Sequence, residues 1–150
     1  MAEPDPLSAA LEDYLEAIAG LTAQDGGARV RDIARALSVH KSTVTAALKS
    51  LAEKKLVHYA PYERARLTRR GRRIAREVRR RHRLIRRFLV DVLCLDEEAA
   101  DENACRMEHV VDADVLRRLA ALGAVIADEP PAGAPWCETL RAKMTDRPDP

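Results

Sequence analysis

Apolar residues recur every three or four positions along much of the chain, and that spacing predicts helices. Leu7, Leu11, Leu15, Ile18 and Leu21 form one such stripe, so a first helix starts after Pro6, capped near Leu7 or Ser8, and runs to about Ala23 before Gly26 and Gly27 end it. A short second helix spans about Val30 to Leu37 and turns Ile33, Ala34 and Leu37 inward. Ser38 to Lys41 reads as a turn, and Ser42 is placed to cap a third helix reaching about Lys55, with Val44, Leu48 and Leu51 buried. Leu56 to Tyr59 and Ala65 to Thr68 read as two short strands around a turn. A long helix follows from about Arg69 to Leu93, with Ile74, Val78, Ile85 and Leu89 as its inward stripe. Two more helices are expected, about Glu97 to Val110 and Ala113 to Ala127, the latter capped by Asp112 and stopped by Pro130 and Pro131.

At 150 residues the chain has the length of one domain, or of two small modules sharing a core. Hydrophobic residues make up 47% but aromatic ones only 3%, so aliphatic side chains carry the packing. No apolar run reaches membrane-spanning length, and the first ten residues lack the basic-then-apolar layout of a signal peptide. Cys94, Cys105 and Cys137 are widely spaced and make no disulfide framework, which fits a reducing, cytoplasmic location.

The net charge of +2 conceals a segregated distribution. Residues 1–26 carry six acids and no Lys or Arg, residues 27–95 carry twenty Lys or Arg against five acids, and residues 96–150 carry thirteen acids against six bases. Such a middle segment suits a polyanionic partner, although a solvated basic helix has the same charge pattern.

Two short helices joined by a tight turn make a helix-turn-helix. The second carries small hydroxyl and basic residues at Lys41, Ser42, Thr43, Thr45 and Lys49, a composition that suits insertion into a major groove. The strand pair brings Tyr59, Tyr62, Arg64 and Arg66 as a wing that can grip phosphates beside the groove. The arginines from Arg72 to Arg87 either reach phosphates or solvate the long helix.

A second set of residues carries metal chemistry. Asp13 and Glu16 share a face of the first helix, His82 falls on the inward stripe of the long helix, and Cys105, Glu108 and His109 stand at i, i+3 and i+4 of the next. Carboxylate, imidazole and thiolate donors projecting from several helices are how bundle metal sites are assembled. Taken singly, His82 reads as a core histidine, Cys105 as a small buried apolar residue and the two acids as surface charges; only their coincidence points to a cation.

The segments EDYLEAIAGL (12–21), VRDIARALSVHKSTVTAALKSLAEKKLVHY (30–59), LTRRGRRIA (67–75), RRHRLIRRFL (80–89) and ACRMEHVV (104–111) resemble the diphtheria-toxin-repressor and manganese-transport-regulator family of metal-dependent transcriptional repressors. The likeness runs in order from about Leu7 to Ala127. It implies a mainly α fold: a winged helix-turn-helix DNA-binding domain over residues 1–75, an all-helical metal-binding and dimerisation domain over 76–128, and a tail over 129–150. It implies a cytoplasmic homodimer that binds double-stranded operator DNA when loaded with a divalent metal. Asp13, Glu16, His82, Cys105, Glu108 and His109 fall where the family places its metal ligands. Asp13 and Glu16 resemble the manganese-responsive branch and Cys105 the iron-responsive branch, so Mn²⁺ and Fe²⁺ are both expected, with Zn²⁺ and Co²⁺ as chemically suited alternatives. Arg86 and Asp101 stand where the iron branch has further ligands of a second site, and an arginine cannot ligate a cation.

The function expected is therefore repression of manganese or iron homeostasis genes, with a cation joining donors of both modules and fixing how two recognition helices meet a palindrome. The competing reading is a winged-helix regulator that senses a small ligand or thiol oxidation through Cys94, Cys105 or Cys137. An enzyme is not expected: the chain has no P-loop, no paired Glu-x-x-His set and no nucleophile motif.

Overall fold

The computed structural model describes residues 7–128 together with Glu138, Leu140, Ala142 and Lys143. Its elements run α1 (Ala9–Asp25), α2 (Val30–Ala36), α3 (Lys41–Glu53), β1 (Val57–His58), β2 (Arg66–Leu67), α4 (Arg69–Asp91), α5 (Glu97–Met107) and α6 (Ala113–Asp128). The fold is mainly helical, with a helix-turn-helix and a short strand pair followed by a helical part. Two compact units divide between Arg79 and Arg80, inside α4. Trp136 and Cys137 lie outside the described residues.

The first unit is built on the predicted stripes. Leu15 and Ile18 of α1, Ile33 of α2, and Val44, Leu48 and Leu51 of α3 are wholly buried, and Leu7, Leu11, Leu21 and Ile74 pack against them. Ser8 is the N-cap of α1, and Gly26 at φ 69° takes the left-handed conformation that ends it. The turn between α2 and α3 depends on Ser38, at φ 53°. α3 begins two residues earlier than expected, with His40 rather than Ser42 as N-cap, because the His40 carbonyl already accepts from Thr43 and Val44. The cap carries no side-chain hydrogen bond, so Ser42 is left exposed on the helix surface.

The wing is shorter than the strand pattern suggests. β1 and β2 pair antiparallel over two positions, Val57 with Leu67 and His58 with Arg66. A separate bridge joins Ala28 to Ala65 and ties the wing to the start of α2. Thr68 links the wing to α4: its hydroxyl accepts from the Gly71 N–H at 3.1 Å, while its own N–H donates to the Leu56 carbonyl at 3.0 Å.

In the second unit Ile85 and Leu89 of α4, Ala100 and Ala104 of α5, and Leu116 of α6 form a small aliphatic core. Asp96 caps α5 by accepting from the Ala99 N–H at 2.9 Å, with Glu97 and Glu98 completing an acidic first turn that suits the helix dipole. Asp112 accepts from the Val115 N–H at 3.4 Å, the cap expected for α6. α5 stops at Met107, three residues short of the expected end, where the Met107 carbonyl accepts from both Val110 and Val111 and turns the chain. α6 leaves Val115, Leu122 and Val125 exposed.

Candidate nucleic-acid interface and metal centre

In the first unit, α3 presents Lys41, Ser42, Thr43 and Lys49 at exposed positions. Thr45 is half-buried, and its hydroxyl donates to the Lys41 carbonyl at 3.0 Å, so this side chain is turned back on its own helix. Lys41, Thr45 and Lys49 line a groove of about 1090 Å³ whose other walls include Tyr59, Tyr62 and Arg64 of the wing. Arg66 borders a second recess with His58 and Tyr59. Arg64 also donates to the Gly27 carbonyl at 3.4 Å and so helps to hold the wing.

The groove includes two cations that the sequence reading missed, Arg29 and Arg31. They flank Val30, the first residue of α2, and alternation of charge with an inward valine was their available signal. Several arginines of α4, by contrast, hold the fold. Arg72 donates to the Leu67 carbonyl at 2.8 Å, and Arg87 pairs with Asp91 at 3.1 Å.

The predicted metal donors divide between the units. Asp13 and Glu16 are half-buried on α1 of the first unit. The Glu16 carboxylate lies 3.5 Å from Arg79 Nε, so a cation on this residue has an internal competitor. His82, Cys105, Glu108 and His109 belong to the second unit.

There Glu108 is wholly buried, a costly position for a carboxylate without positive partners. Two imidazoles lie beside it. His82 Nδ1 lies 2.7 Å from Glu108 Oε2, and His109 Nε2 lies 3.4 Å from Glu108 Oε1. The other nitrogen of His82, Nε2, lies 3.0 Å from Asp101 Oδ1. Burial pushes the His82 imidazole down, but the hydrogen bonds and negative charges of Asp101 and Glu108 outweigh it and hold the ring above its ordinary value of 6.5. Arg81 donates to the Glu108 backbone carbonyl at 2.9 Å and so fixes the turn that carries the donor.

The α5 face expected from sequence is not what gathers these donors. Glu108 is the C-cap of α5 and His109 lies in the turn beyond it, whereas Cys105, within the helix, is exposed. Glu108 keeps helical geometry, donating to the Ala104 carbonyl at 2.9 Å, and continues the buried stripe of Ala100 and Ala104, whereas the Cys105 position faces solvent. Cys94 is disulfide-bonded, against the expectation from cysteine spacing that no disulfide forms.

Carboxylate and imidazole donors suit a borderline divalent ion such as Mn²⁺, Fe²⁺, Co²⁺ or Zn²⁺. The comparisons with known proteins match both halves of the chain. Residues 6–65 match the N-terminal DNA-binding domain of the iron-dependent repressors, and residues 68–137 match their metal-binding and dimerisation domain. The chain belongs to the iron-dependent repressor family. It is 35% identical over 114 residues to an uncharacterized HTH-type transcriptional regulator of Methanocaldococcus jannaschii, covering 75% of this chain and 91% of that one. It is 38% identical over 106 residues to the transcriptional regulator MntR of Escherichia coli O6:H1, covering 71% and 68%. The structure of the manganese regulator SloR superposes with a TM-score of 0.67 at 31% identity over 75% of this chain, which spans about half, 52%, of that structure's length. The repressor is metal-dependent, and its family consists of transcriptional regulators rather than enzymes. Among its described residues no helix is long and apolar enough to cross a membrane.

Proposed function

We propose that the repressor acts in the cytoplasm as a homodimer that binds double-stranded operator DNA when a divalent transition metal is present, and so controls manganese or iron homeostasis genes. The observation that carries this reading is the buried Glu108 carboxylate between His82 and His109, inside the segment matched by the family's metal-binding domain. His82, Glu108 and His109 are the donors we assign first, with Asp13, Glu16 and Cys105 as the further donors the sequence nominates. SloR is a manganese regulator and the family model is named for iron, which makes Mn²⁺ and Fe²⁺ the first cations to test. Cys105 adds Zn²⁺ and Co²⁺, which tolerate thiolate better than Mn²⁺ does. When bound, the cation supplies the positive charge that offsets these acidic donors.

The DNA contacts follow from the groove of the first unit. Lys41, Ser42, Thr43, Thr45 and Lys49 belong to the helix that enters the major groove, and Tyr59, Arg64 and Arg66 belong to the wing that meets phosphates. Exposed Val115, Leu122 and Val125 on α6 support a second copy as partner, because such apolar residues are costly to leave in water. Metal raises operator affinity only to the extent that it favours the DNA-competent form. Fluorescence anisotropy on a duplex selected from a random library with Mn²⁺ present tests the reading. Tight binding with Mn²⁺ or Fe²⁺ and at least tenfold weaker binding in chelator is expected; equal affinity in both would remove the metal switch.

A further inference from the structure

The two ring nitrogens of His82 face different carboxylates. Nδ1 points at the buried Glu108, 2.7 Å away, and Nε2 points at Asp101, 3.0 Å away, whose side chain is 63% exposed. An ionised carboxylate only accepts hydrogen bonds, so Asp101 favours the tautomer that carries its hydrogen on Nε2. In that tautomer the lone pair falls on Nδ1, the side that faces Glu108, where a cation can take the place of the hydrogen that Glu108 would otherwise accept.

Asp101 is itself held. Arg86 Nε lies 3.4 Å from the same Oδ1 that meets His82, and Arg86 NH2 lies 3.0 Å from Glu97 Oε2. A guanidinium stays charged at any accessible pH, so Arg86 opposes recruitment of the Asp101 carboxylate by a cation. The chain of contacts Glu97–Arg86–Asp101–His82 runs from the surface of the second unit to the ring.

We propose that Asp101 is a positioning residue of the metal centre: it fixes His82 as the Nε2–H tautomer and turns the Nδ1 lone pair toward Glu108, with Arg86 anchoring the Asp101 carboxylate. The proposal rests on the reading above in which His82 and Glu108 hold the divalent cation. Carboxylates behind ligating histidines orient the ring and raise its basicity, and their loss costs about 10–100-fold in metal affinity.

The test is competition of the full chain with a fluorescent chelator for Mn²⁺, for the wild type and for Asp101→Ala, Asp101→Asn, Arg86→Gln and Glu108→Gln, with ¹⁵N-histidine spectra of the Zn²⁺-loaded wild type. Asp101→Ala is expected to weaken Mn²⁺ binding about 10–100-fold. Asp101→Asn retains an acceptor oxygen and loses less, and Arg86→Gln falls between wild type and Asp101→Ala. The spectra should show His82 with Nε2 protonated and Nδ1 metal-bound. Unchanged affinity in Asp101→Ala, or Nε2 as the metal-bound nitrogen, overturns the proposal. If the wild type binds Mn²⁺, Glu108→Gln abolishes binding and Asp101→Ala does not alter it, only the role of Asp101 fails. If the wild type binds no Mn²⁺, Fe²⁺ or Zn²⁺, the metal reading fails and this proposal with it. Asp101 is largely exposed, so a melting temperature within a few degrees of wild type is the accompanying check that the variant folds.

Discussion

Arg79 holds Glu16 at two places, with Nε 3.5 Å from the carboxylate and NH2 donating to the backbone carbonyl at 3.2 Å. Gly20 leaves the space for it, since a Cβ there would come within 3.0 Å of the Arg79 guanidinium. If Glu16 serves a cation, Arg79 competes for the same charge. Arg79→Gln is therefore expected to raise Mn²⁺ affinity a few-fold. Stability should change by less than about 1 kcal/mol, because both side chains are partly solvated. A chelator-competition titration beside a urea melt checks both numbers; lower Mn²⁺ affinity in the variant would remove Glu16 from the donor set.

The close approach of Gly71 to Leu56 sets the join between the wing and α4. A Cβ at Gly71 would be driven into the Leu56 carbonyl oxygen, which already accepts from the Thr68 N–H. Backbone is less free to move aside than a flexible side chain. Gly71→Ala is expected to destabilise the first unit by about 1–3 kcal/mol, as overpacking does. Thermal melting followed by circular dichroism reads the loss, and an unchanged midpoint would show that the wing yields without cost.

Much of this fold was legible because helical spacing is a strong signal over long segments. Leu15, Ile18, Val44, Leu48, Val78 and Ile85 were expected inside and are wholly buried. Ends were harder. The N-cap at His40 and the stop at Met107 depend on which backbone carbonyls are satisfied in the turn, and side-chain pattern says little about that. The face of α5 was misjudged too: Ala100, Ala104 and Glu108, four residues apart, make its buried stripe, and Cys105 lies off it in solvent. The role of Asp101 was hidden for a related reason: its value lies in meeting His82, nineteen residues away on another helix.

The groove beside α3 predicts two kinds of DNA defect. Lys49 is an exposed point charge on α3, and Arg31 stands across the groove at the start of α2. Either residue changed to Ala should weaken binding about equally for all duplex sequences and reduce the slope of log affinity against log salt by about 1. A variant that loses discrimination between sequences instead would place its side chain on a base edge. Affinity measured across a salt series on selected and scrambled duplexes separates the two.

The pH response of the metal-free repressor follows from His82. Its folded-state value lies above the unfolded 6.5, through Asp101 and Glu108, so the folded protein binds a proton more tightly there than the unfolded chain does. The stabilisation is complete below about pH 6.5 and is lost as pH rises through the elevated folded value. Urea melts in chelator between pH 5.5 and 8.5 should therefore show stability falling with rising pH, by at most about 1.4 kcal/mol per pH unit for one proton. His82→Gln should flatten that slope. Saturating Mn²⁺ should reverse it, because a ligating imidazole must give up its proton and binding then strengthens as pH rises. A slope of the same sign with and without Mn²⁺ would mean that His82 keeps its proton in the loaded protein, and would exclude it from the ligands.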